Sequence, residues 1–353
     1  MSKFLSEKYA SLKEYVPGEQ PQDKKYIKLN TNESPFPPSP KVLKSVNRTE
    51  VKKLRLYSDP ESKALKEAIA ENYGVKSENV FVSNGSDEIL NFAFMAYGDK
   101  GATFADITYG FYKVFSELYG IKARIIPLKE DFSLDYKAFL KGEGLVVIAN
   151  PNAQIGKSIS LSEIEEILKA NSENVVLIDE AYVDFGGTSA LPLLEKYNNL
   201  LIVRTYSKSR SMAGARLGYA FASKDIIADL EKIKYSTNPY NVNRLTQIAG
   251  VAAVKSQKYY DKNCKKIIKN RANLVQKLTE IGFEILPSEA NFILAKHPEI
   301  SGEEIYLKLK ERGILVRHFR DERISEFNRI TIGTEKQMEA LIKKLKEITE
   351  ERK

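Results

Sequence analysis

Lys208 lies in the stretch Thr205-Tyr-Ser-Lys-Ser-Arg-Ser-Met-Ala-Gly-Ala-Arg-Leu-Gly-Tyr219, between apolar, β-rich runs at 200–204 and 217–222. This spacing puts the amine on a loop leaving one strand, with Arg216 beside the next. Hydroxyls and small residues surround it, a poor neighbourhood for a lysine that only solubilises. A fixed amine whose pKa is lowered by burial and nearby cations can form a Schiff base with a carbonyl compound. Thr205, Ser207 and Arg216 are the donors that a phosphate on such a compound needs.

Other chemistry-bearing residues fall where strands should end. Residues 80–83 read as a strand, Asn84-Gly85-Ser86-Asp87 as a tight turn and 88–97 as a helix. A helix start of this kind presents unpaired N–H groups to an anion, here at Ser86 and Asp87. Runs at 145–149 and 175–179 flank a helix over 161–170, with Ser160 and Glu163 spaced as a capping box. Strands alternating with helices predict a mostly parallel sheet covered on both faces, with ligands at the carboxyl ends of the strands. Asn150-Pro-Asn152 and Asp179-Glu-Ala-Tyr182 lie at those ends. Read alone, Asp179 is equally a cap or turn residue; beside Lys208 it becomes a candidate proton holder.

Further along, two arginines stand in expected strands, Arg317 at 314–317 and Arg329 at 329–332. An arginine on a half-buried strand is costly unless it meets an anion, and its planar fork suits carboxylate or phosphate. The plainer alternative is a packed stem with its head in water. Asp59 and Pro60 predict the start of a helix over 61–73, and a long basic helix is expected over 257–281. The prolines of 17–40 forbid helix and central strand, so residues 1–40 read as an extended arm docked through Tyr26, Ile27, Leu29 and Phe36. The expected division is this arm, a large α/β domain over 41–255 and a small α+β domain over 256–353.

The Lys208 stretch resembles the Schiff-base lysine motif of the fold type I pyridoxal-phosphate aminotransferases, and within them most resembles the histidinol-phosphate aminotransferases. The likeness runs from Tyr26-Ile-Lys-Leu-Asn-Thr-Asn-Glu-Ser-Pro35 to Arg329-Ile-Thr-Ile-Gly333. It implies a large domain with a mostly parallel sheet, a smaller α+β domain, pyridoxal 5′-phosphate as cofactor and a homodimer with shared active sites. It implies that Lys208 is anchor and base, that Asp179 meets the pyridine nitrogen, and that Asn152 and Tyr182 meet the phenolic oxygen. Tyr109 matches the aromatic that stacks on the ring. Ser86 and Asp87 match the phosphate site, their backbone N–H groups binding and the Asp87 side chain turned away or capping. Tyr57 matches a tyrosine reaching the partner's phosphate, Tyr15 one near the substrate, and Arg329 with Arg317 a substrate anion clamp. The implied substrates are histidinol phosphate and the glutamate/2-oxoglutarate pair. Two departures stand out: Ile107 and Gln154 replace the usual prolines, and Gln154 is expected to loosen the loop near the substrate.

Composition narrows the alternatives. At 353 residues and 42% hydrophobic content, the chain can bury a large core and a smaller one. Its net charge of +8 is spread over lysines alternating with glutamates on amphipathic helices, with no nucleic-acid-binding motif. No apolar run suits a membrane span or a signal peptide, which predicts a cytoplasmic enzyme. Cys264 is the only cysteine, so no disulfide forms within the chain, and no metal is expected. Threonine-phosphate decarboxylation and aromatic transamination remain rival reactions on the same fold, and a catalytically silent anion-binding protein is the rival outside it.

Overall fold

Short β-branched runs spaced by amphipathic helices pair here into one large sheet. The computed structural model describes residues 2–10 and 12–351. Its strands are β1 (Ile27–Lys28), β2 (Val80–Ser83), β3 (Ala102–Ala105), β4 (Ala123–Ile126), β5 (Leu145–Ala149), β6 (Val176–Asp179), β7 (Leu200–Thr205), β8 (Gly218–Ala222), β9 (Glu284–Leu286), β10 (Phe292–Lys296), β11 (Ile314–Leu315), β12 (Arg317–His318) and β13 (Asn328–Thr331). Seven of them form a sheet in the order β2-β8-β7-β6-β5-β3-β4. β8 runs antiparallel to both neighbours and the other pairings are parallel, so the sheet is mostly parallel, as expected.

Alternate residues of these strands feed two separate cores. Val146, Ile148, Val176, Ile178, Leu200 and Ile202 pack on one face, and Leu145, Val147, Leu177, Leu201 and Val203 on the other. Near-continuous apolar runs are required because helices cover both faces. Each Val, Leu or Ile sealed this way contributes roughly 1.5–3 kcal/mol relative to an exposed position. The register then fixes the site. Asp179 pairs with Ala149 on one side and Val203 on the other, while Gly218 pairs with both Ser83 and Thr205. The ends of β2, β5, β6 and β7 and the start of β8 therefore share one edge of the sheet.

A third core surrounds a four-stranded antiparallel sheet, β12-β13-β10-β9, covered by helices Gln257–Thr279, Gly302–Glu311 and Glu335–Glu350. Leu29 is buried in this core, and β1 pairs in parallel with β11. The run expected as one strand at 314–317 is split: Ile314 and Leu315 bond the arm, and Arg317 joins the four-stranded sheet opposite Arg329. The capping box at Ser160 and Glu163 forms. The helix expected from residue 61 begins instead at Lys63, after Ser62 in a left-handed conformation, although Asp59 still accepts from Glu61 N and Lys63 N. Among the described residues no helix is long and apolar enough to cross a membrane.

Candidate active site

β6 delivers Asp179 to the sheet edge with its side chain buried. Tyr112 Oη donates to Asp179 Oδ2 at 2.7 Å, and Ala181 N donates to Oδ1 at 3.1 Å. Burial pushes the carboxyl up to about 6 even though both donors pull it down. Such a group gains strongly from a cation placed against it. Glu180, the next residue, points the opposite way and binds Arg204.

The β7–β8 loop supplies the donors. Ser207 N donates to Thr205 Oγ1 at 3.1 Å, and Thr205 Oγ1 donates to Ser207 Oγ at 3.0 Å. Lys208 Nζ donates to Thr31 O at 3.3 Å and lies 5.7 Å from the Tyr182 ring centroid. Tyr182 Oη accepts from Asn32 Nδ2 at 3.0 Å, which leaves its own proton free to be donated. Arg216 adopts a positive φ of 49° and turns its guanidinium towards Gly85. A Cβ at Gly85 would fall 2.5 Å from Arg216 Nη2, so glycine is needed for this approach as well as for its own φ of 79°.

Gly85 also precedes helix Ser86–Tyr97, whose N-terminus has no side-chain cap. Ser86, Asp87, Tyr109, Asp179, Tyr182, Thr205, Ser207, Lys208 and Arg216 all line one cavity of about 180 Å3, together with Thr31, Glu33 and Ala153. The Asp87 carboxylate is not turned away. It accepts from Tyr109 Oη at 2.7 Å and from Arg216 Nη2 at 3.0 Å, because an arginine and a buried hydroxyl converge on it. Burial, reinforced by Asp87, pushes the Tyr109 hydroxyl well up, so it remains a donor.

Asn152 needs the other correction, since its side chain is spent on the loop backbone. Nδ2 donates to Ile107 O at 2.9 Å, and Oδ1 accepts from Gln154 N at 2.9 Å and Ile155 N at 3.0 Å. Its neighbour Ala153 faces the cavity instead. At the rim, Arg329 Nη1 donates to Ala153 O at 3.1 Å, and its Nε is enclosed without a hydrogen-bond partner. Burial lowers the Arg329 pKa. Tyr15 reaches the same rim, stacking on Phe111 at 4.4 Å with its edge towards Tyr109 at 6.1 Å. Arg317 lies across the strand pair but donates to Val16 O and Pro17 O at 2.9 and 3.0 Å, so its fork holds the arm. Tyr57 is not brought to the cavity within this chain: it is 80% exposed and stacks on Tyr240 at 4.5 Å.

Residues 24–345 match the model of the family described as aminotransferase class I and II. The histidinol-phosphate aminotransferase of Clostridium acetobutylicum is 50% identical over 349 residues, covering 98% of this chain and 99% of that protein. That of a Marinomonas strain is 52% identical over 353 residues, with 98% and 99% covered. This chain belongs to the class I and II aminotransferases. Within them it groups with the histidinol-phosphate aminotransferase family. The crystal structure of histidinol-phosphate aminotransferase from Sinorhizobium meliloti, in complex with pyridoxal-5′-phosphate, superposes with a TM-score of 0.85 over 94% of this chain and 93% of that one. At 24% identity, it supports the fold alone.

Four contributors to this cavity and its neighbours escape sequence reasoning. Thr31 and Glu33 reach the cavity from the arm, Asn32 orients Tyr182, and Tyr112 holds Asp179. Thr31, Asn32 and Glu33 sit inside the quoted Asn30-Thr-Asn-Glu33 motif, the one signal that points to them. Tyr112 gives none, because it reads as a core aromatic on helix Phe111–Tyr119.

Proposed function

We propose that this chain is a pyridoxal-phosphate-dependent histidinol-phosphate aminotransferase, moving an amino group between histidinol phosphate or its ketone and the glutamate/2-oxoglutarate pair. The observation that carries the reading is one cavity lined at once by the Lys208 amine, the buried Asp179 carboxylate and the anion donors Ser86, Ser207 and Arg216. The names of the relatives supply the substrate class.

The residues fit the cofactor. An uncapped helix N-terminus beside an arginine, with a glycine keeping the space between them clear, suits a phosphate dianion. A carboxyl raised to about 6 by burial suits a protonated ring nitrogen. Thr205, Ser207 and Arg216 would hold the phosphate together with the N–H groups at Ser86 and Asp87, and Tyr109 would wall the ring. When bound, pyridoxal phosphate supplies an electron sink for the charge released as the substrate Cα–H bond breaks. Asp179 would keep a proton on the ring nitrogen. Lys208 would hold the cofactor through its amine and, with that amine free, would serve as general base for the proton on the substrate Cα. Tyr182, whose hydroxyl proton is not used by Asn32, would donate it to the phenolic oxygen. Arg329 would clamp the substrate's carboxylate or phosphate with Tyr15 beside it, Arg317 would hold the arm that carries Tyr15, and Asn152 would shape the loop.

The same reading includes a homodimer in which Tyr57 completes the partner's phosphate site, and the division into arm, large domain and small domain at residues 40 and 255. Exposed Leu43, Leu54, Leu56 and Tyr57 support a covered surface there. The test is an assay of purified protein with histidinol phosphate, phenylalanine and threonine phosphate, each with 2-oxoglutarate. Glutamate should form fastest with histidinol phosphate. Faster turnover of phenylalanine, or carbon dioxide release from threonine phosphate, overturns the substrate assignment.

A further inference from the structure

Gln154 stands where the family's loop pattern has a proline, a replacement that from sequence alone predicts a looser loop. The geometry points the other way. Gln154 Nε2 donates to Thr108 O at 2.6 Å, while Asn152 Nδ2 donates to Ile107 O at 2.9 Å. Two side-chain amides from one loop thus hold two successive carbonyls immediately ahead of Tyr109. Asn152 Oδ1 in turn accepts from Gln154 N and Ile155 N, so the loop is braced before it clamps. The clamped segment has a third anchor, since Asp106 Oδ2 accepts from Arg323 Nη1 at 2.6 Å. Thr108 is buried, and loss of the Gln154 donor would leave its carbonyl without the bond it makes here.

We propose that Gln154 is a positioning residue that, together with Asn152, fixes the backbone ahead of Tyr109 and so sets where this aromatic wall stands against the cofactor. The proposal rests on the pyridoxal-phosphate reading above for its consequence, though not for the clamp itself. Ala153, between the two amides, also accepts from Arg329. One short loop therefore joins the rim arginine to the wall residue.

The test uses Gln154→Met, which keeps length and apolar volume but removes the donor. Peptide-level hydrogen exchange of the apoprotein should rise over 104–112 and stay unchanged over 176–182. Titration of apoprotein with pyridoxal phosphate should weaken about five-fold, because binding must then re-fix a wall segment loosened by one lost hydrogen bond of about 1 kcal/mol. In a Tyr109→Ala background the same substitution should change that affinity by less than about two-fold, because its effect runs through the missing ring. Unchanged exchange over 104–112 overturns the clamp. An equal loss of affinity in both backgrounds overturns the route through Tyr109. Should wild-type protein take up no pyridoxal phosphate, the functional reading fails, and the exchange comparison still decides the clamp.

Discussion

Arg204, buried near the end of β7, and Arg329, half-buried in β13, are two strand arginines held in different ways. Arg204 meets Glu180 through Nε at 2.9 Å and Nη2 at 2.8 Å, with side-chain exposures of 7% and 0%. Burial opposes its charge, yet Glu180, Tyr73, Tyr219 and Asp184 together hold it firmly protonated. Arg329 has no carboxylate within ion-pair distance among the described residues and donates only to the carbonyls of Ala153 and Asn30. For Arg329 burial wins, and the tyrosines Tyr182 and Tyr15 offset it only in part. A buried arginine satisfied by its own chain serves the fold, whereas one left short of negative charge retains its affinity for an anion from outside.

The difference can be broken at each end. Glu180→Ala strands the Arg204 charge in the interior and should lower the unfolding free energy of the apoprotein by about 3–5 kcal/mol. Adding Arg204→Met should restore much of it, and urea unfolding of both variants checks this. A loss under about 1 kcal/mol in the single variant would show that Glu180 does not hold Arg204.

Arg329→Met should do the reverse. Stability stays within about 1 kcal/mol, while kcat/KM for histidinol phosphate falls on the order of a hundred-fold through loss of a charge-assisted contact. Unfolding without a specific kinetic loss would assign Arg329 to the fold, beside Arg204.

Asp179 extends the comparison to a buried acid with no ion-pair partner among the described residues. Its folded value of about 6 lies above the ordinary carboxyl value, so its contribution to apoprotein stability is present below about pH 4 and lost as pH rises through 6. Asp179→Asn should therefore stabilise the apoprotein by up to about 3 kcal/mol at pH 7.5, with the gain vanishing near pH 4. The same variant should lose most of its transamination rate. Thermal unfolding across this pH range decides it, and a gain that does not change with pH would mean that Asp179 is not raised.

The smallest effect concerns assembly. Co-expressed Lys208→Ala and Tyr57→Phe chains should recover activity in about a quarter of sites, since random pairing gives one intact site in each mixed dimer. Dimers without recovery would leave Tyr57 as a surface stacking partner of Tyr240.

Chain-local features were the readable ones. Lys208, Asp179 and Arg216 could be placed because each follows or precedes an apolar run whose end must lie at the sheet edge. The capping box at Ser160 and Glu163 was readable for the same reason. Orientation set by distant partners was not. Asn152 turns onto the backbone at Ile107 and Asp87 turns into the cavity to meet Arg216, choices made by residues 45 and 129 positions away. The split of 314–317 likewise depends on the arm arriving beside it, and the Tyr112 bond to Asp179 spans 67 positions.

The central claim is that Lys208 carries the cofactor. Wild-type protein loaded with pyridoxal phosphate, reduced with borohydride and digested should yield one modified peptide, with the added mass on Lys208, and Lys208→Ala treated alike should yield none. Label on another of the chain's lysines, or equal labelling of the variant, would contradict the account.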